Sequence, residues 1–487
     1  YKVQEYSFAN IDKFSTASLI TRMTTDVTMT QQSFQMLIRT FVRAPMMIIG
    51  ATFIAITINP NLAIVFLVAI PVLGISLFFI IRKAHPLFMK MFKKYDKLNA
   101  TIQENLIGIR VVKAFVREDY EIDKFKHATH DLYENAKSAQ KVMILTSPIM
   151  QFTINACMLA IAWFGGQLII SEMMETGQLM SFLSYVMQIL MNLMMISMVM
   201  VMVTMGRASL LRIFEVLDEH VDLVNPEDPI TEVKDGSVEF KNVYFSYSKN
   251  LENPNLKNIN FKIKSGQTVG IIGSTGSAKS TLVQLIPRLY DVTAGEVLVG
   301  GVDVRNYDLK TLRDNVAMVL QKNVLFSGSI EENLRWGDEN ATTEEIIAAA
   351  KLAQAHDFIM EAPGQYQRDL GQGGVNVSGG QKQRLTIARA LLKKPKILIL
   401  DDSTSAVDTK TEALIRDALM NKLSHVTKII IAQRISSIEN ADQIIVLDEG
   451  EINGIGTSEE LLKTNKIYQE IYYSQLKGGS ANEQKNV

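Results

Sequence analysis

The sequence predicts an α-helical transmembrane domain followed by an α/β phosphate-binding domain of the P-loop kind, and three features point that way. Four long apolar runs in the first half of the chain carry no charge. Further on, the strand-like Thr268-Val269-Gly270-Ile271-Ile272 opens directly into Gly273-Ser274-Thr275-Gly276-Ser277-Ala278-Lys279-Ser280-Thr281. Then Ile397-Leu398-Ile399-Leu400 reads as a buried parallel strand that delivers two acids, Asp401 and Asp402. A chain of 487 residues is too long for one ordinary domain, and a net charge of −1 gives no polyelectrolyte signal for nucleic acid. The single cysteine, Cys157, excludes an internal disulfide. No cationic and apolar leader is read ahead of the first segment.

Taken in order, Tyr1 to Gln35 reads as a cytoplasmic helical loop. From Ala44 to Ile81 there is no charged residue, and Asn59-Pro60-Asn61 divides that stretch, giving spans at about 41–58 and 62–81. At a rise of about 1.5 Å per residue, the second arm crosses the ~30 Å core of a bilayer. Residues 85–141 are highly charged with helical periodicity, which predicts long helices projecting into the cytoplasm. Two more uncharged runs, at 142–171 and 176–206, flank the acidic turn Glu172-Met173-Met174-Glu175. Arg39, Arg43, Arg82, Lys83, Lys137, Lys141, Arg207 and Arg212 all lie at one set of ends, which makes those ends cytoplasmic. Everything after Arg212 then lies in the cytoplasm. The expected divisions are a membrane domain at 1–216, a Pro-containing acidic linker at 217–236, the second domain at 237–475 and a disordered polar tail at 476–487.

The glycine-rich loop sits between a strand and a helix, the context that gives such a match structural meaning. Its backbone N–H groups and the helix N-terminus attract phosphate oxygens. Lys279 supplies a charge to the β- and γ-phosphates, and the Ser280 hydroxyl can ligate Mg²⁺. The ligands expected are therefore ATP and Mg²⁺. Ala278 stands where glycine is usual, so its methyl is expected to crowd the phosphate or bias the backbone without abolishing binding.

A third motif, Val377-Ser378-Gly379-Gly380-Gln381, precedes the Asp401 strand. With the phosphate loop it resembles the ATP-binding cassette (ABC) superfamily, and apolar spans joined to a cassette resemble an ABC exporter half-transporter. Such exporters have six spans, whereas four are read here, and Tyr1 to Gln35 then corresponds to the first intracellular loop. The resemblance implies that two cassettes sandwich two ATP molecules, with Val377 to Gln381 serving the partner's ATP. It implies that Tyr247 stacks on adenine, that Gln321 reaches Mg²⁺ and the γ-phosphate, that Asp401 joins the Mg²⁺ shell, and that Ser405-Ala406-Val407-Asp408 crosses the dimer interface. It also implies that Gly108 to Phe115 with Val116-Arg117-Glu118-Asp119 forms a cytoplasmic loop whose short transverse helix docks on a cassette.

Two positions depart from that pattern. The family's catalytic glutamate is replaced by Asp402, whose carboxylate sits about 1.5 Å back. The family's histidine at the γ-phosphate is replaced by Gln433, which can hydrogen-bond but cannot take up a proton or carry a charge. Together with Ala278 they are expected to mark the degenerate half of a heterodimer. Its own site then hydrolyses ATP weakly, and its intact signature completes the active site of a different chain that retains glutamate and histidine. The alternatives are a homodimer in which Asp402 is an adequate base, and a regulatory membrane subunit that holds nucleotide without turnover. Nine methionines between Met180 and Met205 suit a wall that accepts apolar shapes, and the resemblance implies an apolar or amphipathic cargo.

Overall fold

A computed structural model describes residues 1–402 and 407–483, with the side chains at 197, 198, 200, 201, 204, 205 and 476–483 outside that description. Met198, Met200 and Met205, and Ser405 and Ala406, therefore lie outside the described side chains. The chain divides into a helical unit, Thr16–Asp218, and an α/β unit made of Tyr1–Ser15 with Glu219–Val487. This differs from the expected grouping of residues 1–216. Tyr1–Ser15 carries α1 (Phe8–Phe14), capped by a reciprocal Ser7–Asn10 pair and closed by Ser15 at φ 56°. Its Phe8 ring packs edge-on against Tyr290, and Lys13 pairs with Glu219 at 2.6 Å. These partners lie more than two hundred residues away, beyond the reach of a local pattern.

The helical unit is built from α2 (Val27–Met36), α3 (Arg43–Ile58), α4 (Pro60–Ala114), α5 (Glu118–Met143), α6 (Thr146–Ile170) and α7 (Thr176–Leu217). Two π-helical turns, Arg22–Asp26 and Leu37–Phe41, bracket α2. The helices break at Asn59: its side chain accepts from the backbone N–H groups of Asn61 and Leu62, and Pro60 occupies the first helical position. Among the described residues, four helices are long and apolar enough to cross a membrane. Their outward faces are apolar, with Ile64 53%, Phe78 59% and Phe79 62% exposed. Each such side chain would forfeit roughly 1.5–3 kcal/mol in water, which a hydrocarbon surround restores. Small residues and Phe66, Leu73, Phe182 and Ile189 fill the interior.

Helices α4 and α5 continue far past the apolar segment, as the charged periodicity of 85–141 predicts. The short transverse helix implied between Gly108 and Asp119 is absent: α4 runs on to Ala114, and a three-residue turn, Phe115–Arg117, leads into α5. Val116 takes the left-handed conformation at φ 52° that reverses the chain.

In the α/β unit, β1 (Val238–Phe245), β2 (Leu256–Ile263), β4 (Ala294–Val299) and β5 (Val302–Asp303) form an antiparallel sheet of order β2-β1-β4-β5. The second sheet has the order β10-β9-β3-β8-β7-β6, from β3 (Thr268–Gly273), β6 (Val316–Val319), β7 (Ile397–Asp401), β8 (Thr427–Ile431), β9 (Gln443–Asp448) and β10 (Glu451–Gly456). Five of its strands are parallel, so the ends of β3 and β7 emerge at one edge, where open α/β sheets bind ligands. The helices used below are α8 (Lys279–Gln284), α9 (Gly379–Leu392), α10 (Thr409–Lys422) and α11 (Lys466–Glu483). Residues 476–483, expected as disordered tail, continue the hydrogen-bond ladder of α11 to Glu483; residues 484–487 lie outside the described chain.

Candidate nucleotide-binding site

The loop from Gly273 to Ala278 is held by contacts that glycine makes possible. A Cβ on Gly273 would lie 2.0 Å from the Leu447 carbonyl oxygen. Ser274, Thr275 and Gly276 form the exposed crest, while Ser277 is buried and its hydroxyl donates to the Ser274 carbonyl at 2.8 Å. Ala278 caps α8 in the left-handed conformation, φ 67° and ψ 26°. A loop at the N-terminus of a helix, rich in outward N–H groups, is an anion site by its backbone alone.

Lys279 folds over this loop and donates to the Gly273 and Ser274 carbonyls at 2.9 and 2.7 Å. Burial holds its ammonium below the usual lysine range, although Asp401 and Asp402 oppose that shift. A phosphate in the loop would replace the carbonyl partners with full negative charge. The Ser280 hydroxyl donates to Asp401 Oδ1 at 3.0 Å, joining the end of α8 to the end of β7. A hydroxyl and a carboxylate are hard oxygen donors, the set that suits Mg²⁺.

Asp401 and Asp402 are both nearly buried at the mouth of the sheet. Burial pushes both carboxyls above their ordinary value, and the neighbouring Asp402 charge pushes Asp401 further. Asp402 stands at φ 46°, and the Gln433 amide donates to its Oδ2 at 2.6 Å. Gln321 also hydrogen-bonds the Asp402 side chain. Thr281 meets the hydroxyl of Tyr247 at 3.0 Å. The structure thus gathers Tyr247, the whole glycine-rich loop, Gln321, Asp401, Asp402 and Gln433 around one edge.

Val377 to Gln381 stand elsewhere. They open α9, where Ser378 and Gln381 cap the helix reciprocally, and Val377 is buried in an apolar cluster different from the one that holds β3. Asp408 caps α10 through the Thr411 N–H at 2.9 Å, and 403–406 lie outside the described residues. One participant was missed from sequence. Tyr290 lies edge-on to Tyr247 at 5.2 Å, and its hydroxyl donates to Asp12 at 2.8 Å. Together with Phe245, Val292 and Thr293 these rings line a cleft of about 340 Å³. A second tyrosine 43 positions downstream of Tyr247 has no local signal to distinguish it from a core aromatic.

Family models for the ABC transporter transmembrane region and for the ABC transporter match residues 2–194 and 256–405 respectively. The uncharacterized ABC transporter ATP-binding protein YfiB of Bacillus subtilis (strain 168) is 41% identical over 475 residues, covering 98% of this chain and 82% of that protein. An ATP-dependent lipid A-core flippase of Syntrophus aciditrophicus (strain SB) is 32% identical over 99% of this chain and 80% of its own length. A bacterial Atm1-family ABC exporter with ATP bound superposes with a TM-score of 0.83 at 28% identity, covering 97% of this chain and 84% of that one. Helical membrane unit, nucleotide cassette and sequence relatives agree: the chain belongs to the ABC exporters, multi-pass proteins of the cell membrane that couple ATP hydrolysis in a cytoplasmic cassette to transport.

Proposed function

We propose that this chain is the weakly hydrolytic half of an asymmetric exporter that moves an amphipathic, lipid-like molecule out of the cytoplasm. Its own site holds ATP, and Val377 to Gln381 complete the faster site of a different half-transporter. The observation that carries this reading is the 2.6 Å hydrogen bond from Gln433 to Asp402. A general base needs a carboxylate oxygen free to take a proton from the attacking water. Here one oxygen is occupied by an amide, on a side chain already one methylene short, and Gln433 offers the γ-phosphate neither an exchangeable acid–base proton nor a positive charge.

The remaining residues fit nucleotide. Tyr247 offers a ring face to the base beside the cleft with Tyr290. Backbone N–H groups of Gly273 to Lys279, with the Lys279 ammonium and the Thr281 hydroxyl, hold the phosphates. Ser280, Asp401 and Gln321 would hold Mg²⁺, which supplies charge neutralisation across the β- and γ-phosphates. The amphipathic cargo is supported by the flippase relative and by spans that contain no charged residue between Leu62 and Ile81 or from Val142 to Ser171.

One observation favours a homodimer with active sites. Burial raises the Asp402 pKa, and a raised carboxylate is a better base near neutrality. The double variant Asp402→Glu with Gln433→His separates the two. Under the asymmetric reading, ATP turnover at this chain's own site rises by about tenfold to a hundredfold, the range a misplaced catalytic group can cost. Turnover that stays within twofold of the parent refutes it.

A further inference from the structure

The chain passes between its two compact units twice, at Ser15/Thr16 and at Asp218/Glu219. On the helical side the two passages are fastened together. Asp26, 1% exposed, sits at the end of the first π-helical turn and receives both a 2.8 Å bond from Arg212 Nε and a second from Arg212 Nη2. One turn nearer the passage, Arg22 donates to the Arg212 carbonyl at 2.7 Å and to Glu215 at 2.8 Å. Towards the membrane, the Ser33 hydroxyl donates to the Met202 carbonyl at 3.0 Å, and a Cβ on Gly206 would lie 2.1 Å from that hydroxyl. On the α/β side the same two stretches pair again, through Asn10 to Glu219 and to the His220 carbonyl and through Lys13 to Glu219.

An ion pair whose carboxylate is buried while its guanidinium stays half exposed is a modest source of net stability; its distinctive contribution is to fix one register. The π-helical turn is the local cost of that register. One wide turn re-aims Arg22 and Asp26 onto α7, and such turns collect at functional sites. If α2 and α7 were fastened to the cassette by two independent passages, each could follow a cassette movement alone and the displacement would be shared out as slack.

We infer that Asp26 is a positioning residue for energy coupling: with Arg212 and Arg22 it binds the two chain passages into one strut, so that nucleotide-driven movement reaches α2 and α7 together. The Arg22–Glu215 pair lies nearest the passage and resists splaying. Next to it, the buried Asp26, gripped by the half-exposed Arg212, fixes the register. Gly206 against Ser33 continues the contact towards the membrane.

The test uses the full chain, with whatever half-transporter copurifies, in lipid nanodiscs. Cys157 is changed to alanine, and spin labels are placed at Asn61→Cys and Met173→Cys, the two exposed non-cytoplasmic turns. The readouts are the change in label distance on adding ATP with vanadate, the Kd for a fluorescent ATP analogue, and the melting temperature. The variant Asp26→Leu with Arg212→Met keeps apolar packing, so it is expected to fold and bind the ATP analogue within twofold of the parent while losing more than half of the ATP-driven distance change. Asp26→Arg with Arg212→Asp is expected to recover most of it. An apolar variant that keeps the full distance change overturns the inference, as does a parent that shows no ATP-driven change for the strut to carry. If the apolar variant fails to fold, the charge-swapped protein decides: recovery of the distance change supports the strut, and folding without recovery overturns it.

Discussion

At Ala278 one methyl group sets the local cost of the phosphate loop. The loop must turn left-handed there to point its N–H groups at a bound anion, and Ala278 does so at φ 67°. For a residue with a Cβ that conformation costs about 1–2 kcal/mol, a penalty glycine does not carry. Ala278→Gly is therefore expected to stabilise the nucleotide-free protein by about 1 kcal/mol, a rise of roughly 2–4 °C in Tm for a domain of this size. Its ATP affinity should equal or exceed that of the parent. Thermal melting without nucleotide checks the first, and an unchanged or lowered Tm would mean that the methyl gains packing that outweighs its strain. The sequence marked Ala278 as unusual because glycine belongs to the motif, but the sign of φ was not legible there. Asp402 is a similar case. Its missing methylene was visible in the sequence, while the Gln433 hydrogen bond that ties the two departures into one feature needed the structure.

Among the elements, the α4–α5 hairpin presents an exposed apolar tip, with Phe115 73%, Val116 80% and Tyr120 63% exposed. The Lys113–Glu118 pair at 2.9 Å closes its base. Side chains that touch so little of their own unit contribute little to its stability, and an apolar patch left in water marks an interaction surface. Phe115→Ser is thus expected to change unfolding free energy by less than about 0.5 kcal/mol while lowering ATP-driven transport severalfold. Parallel measurement of chemical denaturation and vesicle transport checks this, and equal transport would show that the tip carries no contact of consequence. Much of the element pattern could be read beforehand, because its causes are local. The uncharged runs located four membrane helices, Asn59-Pro60-Asn61 supplied its own cap, and the strand entering Gly273 was recognisable by its apolar run. The packing of Tyr1–Ser15 with the α/β unit was not legible for the opposite reason. Its packing onto Tyr290 and Glu219 depends on residues distant in sequence, and helical periodicity is blind to such partners.

For the whole molecule, the separation of Val377–Gln381 from the phosphate loop decides what one chain can do. The two are held by different apolar clusters of the α/β unit, and the signature opens a helix of its own, so neither is placed to complete the other within a single copy. A second cassette must supply what is missing, and the two possible partners predict different kinetics. A second copy would build two identical sites around Asp402 and Gln433. A chain with glutamate and histidine at those positions would build one slow site and one fast site, and the fast one would use this chain's Ser378. ATP turnover in lipid should then be low for this chain alone and rise by an order of magnitude or more when it is copurified with such a partner, the scale on which a positioned general base acts. Removing the partner's catalytic glutamate should abolish that gain, whereas Asp402→Asn in this chain should leave most of it. Ser378→Ala should also lower the fast turnover. It costs α9 about 1 kcal/mol through its lost cap, so Tm must be followed alongside. Equal turnover by the chain alone, lost on Asp402→Asn, would instead make Asp402 the working base of a homodimer and the Gln433 bond a means of holding it in place.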